Sequence, residues 1–318
     1  MDLARRCLLQ CLFVSIALLC AGVHAGPLRA QASQAARKMV EVAKDVYLMT
    51  EAGSNSIFVV TDEGVLVFDS DIRNADVDRA AIRRVTDGRI VYLFTSHASG
   101  DHSSGVWHFR EDNPVYITPR DQVRAYFMTE LKEFDERKAE GAPGYNLPGA
   151  SLIQPTIGFD DSLTLYFGGL TFQARAEGYG HTSGDMTLYI PQRRVMLMGD
   201  LLNNEVHPGQ ADAGGVFKAQ IQGQIDILNR IAERNLAVDT YVPGHGPVHI
   251  GRGIADVRDQ RDYFVLMREE VANMVLAGKS WEQILEEFKV PERFSHYPPA
   301  RLPNILRLFY NQLIEYGY

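Results

Sequence analysis

Short apolar runs separated by polar, glycine-bearing segments dominate the middle of the chain, and their lengths predict strands rather than helices. Strands are expected near Val46 to Thr50, Ser56 to Thr61 and Val65 to Asp69, with a helix over about Ala75 to Val85. The strand–helix rhythm continues through Arg89 to Thr95, a helix after Ser103, and a strand over Val115 to Thr118. Arg120 to Glu140 is polar and amphipathic and reads as helical. Gly141 to Gly149, broken by Gly and Pro, reads as a loop over a pocket. Ser162 to Phe167 and Leu170 to Ala176 flank Gly168-Gly169 as a hairpin, and Val195 to Met198 and Thr240 to Val242 are two further short strands.

Beyond His249 the period changes. Ala255 to Ala277, a helix running to Phe288, and Leu302 to Tyr316 carry helical spacing, with Ser280 as cap and Gln283 three residues on. This tail is expected to be a helical subdomain packed on the rest, its leucines and aromatics forming core, with dimerisation through it left open. The expected organisation is residues 1–25, 26–250 and 251–318.

Four segments after apolar stretches carry metal-ligand chemistry. Thr95-Ser96-His97-Ala98-Ser99-Gly100-Asp101-His102 places two histidines and an aspartate within six positions. Gly180-His181, Met198-Gly199-Asp200 and Pro243-Gly244-His245-Gly246 follow in order. Strands that end at these loops can deliver all six side chains to one edge, and a glycine beside His181, Asp200 and His245 lets the backbone approach an ion closely. Imidazole and carboxylate together suit zinc, iron and manganese. Asp69 is expected to support a ligand by hydrogen bonding, and Asp185 to cap the loop of His181. His108 reads as structural, and His249 and His296 have no motif around them.

This pattern resembles the metallo-β-lactamase superfamily, whose signature is His-x-His-x-Asp-His followed by a distant His, a bridging Asp and a final His. The resemblance runs from about Val46 to Val248. It implies an α/β fold, the four-layer αβ/βα metallo-β-lactamase sandwich, here with a C-terminal helical extension. Carried over by position, it implies metal site one at His97 and His181 and site two at Asp101, His102 and His245, with Asp200 bridging. Ser99 stands where the second His belongs, and a serine hydroxyl is a poor ligand for a divalent cation, so site two has the fuller set. The implied activity is hydrolysis of an ester, lactone, thioester or amide by a metal-activated hydroxide, with one or two zinc ions, iron or manganese being alternatives. In that scheme Asp101 and Asp200 handle protons and orient water. His207, on a loop that borders the pocket in this family, is a candidate for substrate contact or proton transfer. A second reading is a non-haem iron dioxygenase on His97, His181 and Asp200, and a third is a binding protein with a degenerate site.

Met1 to Arg6 carries two arginines ahead of the apolar stretch Leu8 to Val23, which ends in Val23-His24-Ala25. That is the form of a secretory signal, so the mature chain is expected in the periplasm or secreted, with no stable membrane insertion after cleavage. Cuts after Ala30 or Ala32, and a retained anchor, stay open. Cys7, Cys11 and Cys20 all fall in the leader, which leaves the mature chain no disulfide and no thiolate ligand, and no cysteine at the bridging position that some metallo-β-lactamases fill with one. Cleavage removes two of 32 basic and one of 40 acidic residues, leaving 30 against 39. A surface of that sign disfavours nucleic acid and leaves a small-molecule substrate as the expected partner.

Overall fold

The computed structural model describes residues 37–209 and 219–316, so the leader expected over Met1 to Ala25 lies outside it. The strands are β1 (Lys38–Ala43), β2 (Val46–Thr50), β3 (Ser56–Thr61), β4 (Gly64–Phe68), β5 (Ile90–Phe94), β6 (Val115–Pro119), β7 (Ile157–Phe159), β8 (Ser162–Phe167), β9 (Leu170–Gly178), β10 (Asp185–Ile190), β11 (Val195–Leu197) and β12 (Thr240–Val242). The helices are α1 (Ala75–Val85), α2 (Gly100–Ser103), α3 (Arg120–Ala125), α4 (Leu131–Ala139), α5 (Ile221–Glu233), α6 (Ala255–Leu276), α7 (Trp281–Glu287) and α8 (Leu302–Tyr316).

Strands β1 to β7 form one seven-stranded sheet in chain order, and β8 to β12 form a second, five-stranded sheet. The first is antiparallel as far as β4 and parallel from β4 to β7. Period-two alternation decides which way each strand faces. In β4, Leu66 and Phe68 join Ile57, Val59 and Phe94 against Phe172, Leu188 and Leu197 of the second sheet, while Val65 and Val67 point the other way onto Ala81 and Ile82 of α1. Phe172 is fully buried between the sheets, so its truncation to Ala would cost on the order of 3–5 kcal/mol.

The outer face of the second sheet, with Met196 and Tyr241, is covered by Ile225, Leu228 and Ile231 of α5 and by Tyr263, Phe264 and Met267 of α6. Ile305, Leu306 and Phe309 of α8 complete that layer. Helix, sheet, sheet, helix is the four-layer order expected. The tail has no core of its own, because its apolar positions share one cluster with α5 and the strands; it is a wall of the sandwich rather than a separate subdomain. The predicted Ser280 cap is present as a full capping box with Gln283.

Three strands and one helix were not among the expected elements. β1 and β7 are edge strands with mostly exposed side chains, so burial leaves little pattern to read. β10 is buried along its whole length, and a strand covered on both faces shows no alternation. α5 carries a helical spacing in Ile221, Ile225, Leu228 and Ile231 that polar neighbours and Gly223 dilute. Among the described residues, no helix is long and apolar enough to cross a membrane.

Candidate metal centre

β5 ends at Phe94, and the next eight residues turn into the short helix α2, which carries Asp101 and His102. His181 follows β9, Asp200 follows β11, and His245 follows β12. The six side chains expected as ligands come together as two groups, His97, His181 and Asp200, and Asp101, His102 and His245; within each, the candidate donor atoms lie within 4.8 Å of one another. Asp200 joins the groups. Its Oδ1 is 3.2 Å from His102 Nε2, and its Oδ2 is 3.6 Å from His181 Nε2 and 3.4 Å from His245 Nε2. Asp101 Oδ2 stands 3.2 Å from His245 Nε2.

Hydrogen bonds behind the cluster settle which ring nitrogen of two histidines faces inward. Asp69, in a left-handed conformation at the end of β4, accepts from the Ser96 amide at 2.6 Å, from Ser96 Oγ at 2.7 Å and from His102 Nδ1 at 2.8 Å. Ser96 spends its one hydroxyl hydrogen on Asp69, so its oxygen accepts from His97 Nδ1 at 2.9 Å. Both imidazoles, when neutral, therefore carry the proton on Nδ1 and turn a bare Nε2 lone pair to the cluster. His97 Nε2, His102 Nε2 and Asp200 Oδ1 are buried with no hydrogen-bond partner. Orphaned buried donors and acceptors of this kind are rare, and divalent cations held by the two groups would satisfy them. The residues fit a nitrogen- and oxygen-ligated metal.

The electrostatics agree. Burial works against charge on His102, yet Asp200, Asp101 and Asp69 hold its pKa well above the usual imidazole range. Burial also acts to lower His245, but Asp200 and Asp101 push it up to about 9. His97 goes the other way, driven well below its ordinary value by burial and by His102 and His181. Two buried carboxylates thus draw positive charge into the pocket, and a metal that binds there must displace protons.

Two glycines make the geometry attainable. A Cβ on Gly244 would lie 2.1 Å from Asp200 Oδ1, so only glycine leaves room for that carboxylate. Gly199 sits at φ +52°, and a side chain there would meet Ser96 Cβ at 2.2 Å. Asp185 caps the His181 loop as expected, accepting from the amides of His181 at 2.6 Å and Thr182 at 2.9 Å and from the Thr182 hydroxyl; burial raises its pKa to about 7.

Ser99 does not stand idle in place of an imidazole. Its hydroxyl donates to Asp101 Oδ1 at 2.7 Å and steadies the site-two carboxylate. His207 departs from expectation. It is 1 % exposed, its Nδ1 is 2.7 Å from the Tyr263 hydroxyl, and it packs on Tyr297, so it belongs to the seam between loop and α6. Burial lowers its pKa to about 4, which keeps it neutral at neutral pH. The 141–149 loop buries Tyr145 against Phe134 and reaches Ser104, so it packs on the segment that carries Asp101 and His102. His249 is engaged by Asp256 and Glu205. Sequence reasoning missed Ser96, although its place between a predicted strand end and His97 pointed to it. It also missed Arg301, whose Nη2 lies 3.4 Å from His245 Nδ1 and which no local signal marks.

Residues 49–245 match the family model of the metallo-β-lactamase superfamily. The chain belongs to this superfamily. A type 2 metallo-β-lactamase of Bacteroides fragilis is 23 % identical over 197 residues, covering 61 % of this chain and 69 % of that protein. One from Bacillus cereus is 23 % identical over 220 residues, 64 % of this chain and 75 % of its own length. Among solved structures, an inverting sec-alkylsulfatase of Pseudomonas sp. superposes with TM-score 0.65 at 16 % identity, over 88 % of this chain and 50 % of its own. The chain thus spans half the length of that protein. A metallo-β-lactamase of Pontibacter korlensis gives 0.55 at 16 % identity, over 71 % of this chain and 99 % of its own. The first 245 of 318 residues are 77 % of the chain, so the 88 % match must extend into the helical tail. At the level of the superfamily the chain is a metal-dependent hydrolase.

Proposed function

We propose that this is an exported, zinc-dependent hydrolase that cleaves an ester, lactone, thioester or amide bond of a small molecule. The observation that carries the reading is Asp200, whose carboxylate reaches His102 with one oxygen and His181 and His245 with the other. Zinc held by these residues supplies Lewis acidity and draws the pKa of water from about 15.7 toward 7. The chain's own residues do the remaining work. Asp200, fixed by the room at Gly244, would orient the attacking water. Asp101 is 27 % exposed at its side chain while the other ligand side chains are nearly sealed, so solvent and substrate meet the cluster there. Its carboxylate is the group placed to take the proton that the water gives up and to pass it to the leaving atom. Ser99 keeps it oriented.

The iron dioxygenase reading uses His97, His181 and Asp200 alone, and it leaves the second complete group, Asp101, His102 and His245, without a task. Metal analysis of protein made without added metal, followed by a panel of carboxylic, thio- and sulfate esters, lactones and β-lactams, separates the two. Zinc with turnover of one bond class supports hydrolysis, and iron with oxygen uptake overturns it. Sulfate esters belong in the panel because the tail-bearing fold is shared with an alkylsulfatase. With Asp200 and no cysteine at the bridging position, β-lactam turnover is expected to be slow.

A further inference from the structure

His245 turns Nε2 toward Asp101 and Asp200, so the metal-binding imidazole keeps its proton on Nδ1 and must donate there. Its polar neighbour on that side is Arg301 Nη2 at 3.4 Å, which is also a donor. Arg301 Nη1 is buried and has no hydrogen-bond partner. No carboxylate among the described residues lies within ion-pair distance of this guanidinium, although Arg252, Arg261 and Arg293 of the tail are each paired with one. With a metal on Nε2, three N–H groups therefore converge beside a metal ligand, and no acceptor among the described residues is placed between them. Such a set is stable only with an acceptor between its members, and a guanidinium fork favours the paired oxygens of an oxyanion.

The surroundings keep the fork in place. Arg301 closes a 3-10 turn that begins at Pro299, directly before α8. Gly209 passes so near that a Cβ would stand 3.1 Å from Nη1, so a glycine leaves the guanidinium its room. The arginine comes from the helical tail, while the metal ligands come from the sandwich.

We propose that Arg301 and His245 Nδ1–H form an oxyanion subsite, and that the substrate of this enzyme carries a sulfate or carboxylate group that docks there. The proposal deepens the hydrolase reading and rests on His245 holding the metal through Nε2. Arg301 is on this view a specificity residue supplied by the tail.

The test titrates methyl sulfate and, separately, acetate into the zinc-loaded full chain by calorimetry, for the wild type, Arg301→Gln and Arg301→Lys, with zinc content measured on every sample. The expected result is saturable binding of at least one anion, weakened about tenfold or more in Arg301→Gln and less in Arg301→Lys, with zinc content unchanged. The anion that shows this dependence identifies the group as a sulfate or a carboxylate. Equal binding in wild type and both variants, which is what coordination to the metal alone would give, overturns the proposal, as does the absence of binding by a zinc-replete wild type. Loss of zinc in both variants would show that Arg301 only props His245, which also overturns it. A wild type that holds no zinc at all sinks the hydrolase reading itself, a result distinct from the others.

Discussion

Replacing Ser99 with alanine removes one hydroxyl, the donor to Asp101 Oδ1 at 2.7 Å, and leaves the backbone at this extended position undisturbed. A hydrogen bond to a charged acceptor contributes about 1.5–3 kcal/mol, and the lower end applies here because water can reach the partly exposed Asp101. About 1.5 kcal/mol is roughly a tenfold loss of zinc affinity at the tighter site. Ser99 makes no side-chain cap bond to the helix it precedes, so stability should change by less than about 1 kcal/mol. Competition with a chromophoric zinc chelator reads the affinity, and urea unfolding of the same samples reads the fold. Ser99→His loses the same hydroxyl but adds an imidazole beside His97 and His181, so it should raise the zinc count toward two while weakening the site of Asp101, His102 and His245 by the same factor. Unchanged affinity in Ser99→Ala, or a loss matched by an equal loss of stability, would refute the assignment of Ser99 as the anchor of Asp101.

Asp69→Asn leaves a single acceptor oxygen where three donors converge, and it should weaken zinc binding by about 10–100-fold on the same chelator assay while the circular dichroism spectrum is retained. Gly244→Ala drives a methyl group against Asp200 Oδ1, so the purified variant should lose most of its metal by elemental analysis. His207 titrates near 4 in the folded chain against 6.5 unfolded, so its contribution is complete above pH 6.5 and is lost as pH falls toward 4. That difference corresponds to roughly 3 kcal/mol, and urea unfolding at pH 7 and pH 4 should show that much less acid sensitivity in His207→Phe than in the wild type. Equal acid sensitivity in the two proteins would show that the imidazole is not held neutral by its burial.

The site was more legible in the sequence than its support. The proposed ligands lie on short loops that follow strands, four of them beside a glycine, because a metal must be met by side chains from tightly turned loops, and such loops leave a local record. Asp69 and Asp185 were readable for the same reason. Ser99 was visible only as a vacancy, since sequence spacing names what is missing and not what the substitute touches; its bond to Asp101 is a tertiary fact. Arg301 lies 56 positions from His245 and meets it only because α8 packs on the second sheet, which no local pattern encodes. His207 was visible as a loop histidine near Asp200, while the Tyr263 and Tyr297 that enclose it come from distant segments and left no local sign. The helices of the tail were placed almost to the residue by their period and caps, yet their role as the fourth layer depended on α5, whose pattern was diluted.

That these six side chains form a zinc centre, in two groups joined by Asp200, is the proposal on which the rest stands. It is tested most directly by elemental analysis of the full chain, purified without added metal and dialysed, beside Asp200→Asn and His245→Ala prepared in the same way. The account predicts close to one equivalent of tightly held zinc in the wild type, and a marked loss of it in both variants while their far-ultraviolet circular dichroism stays native. A wild type that retains no metal, or variants that retain as much as the wild type, would contradict it.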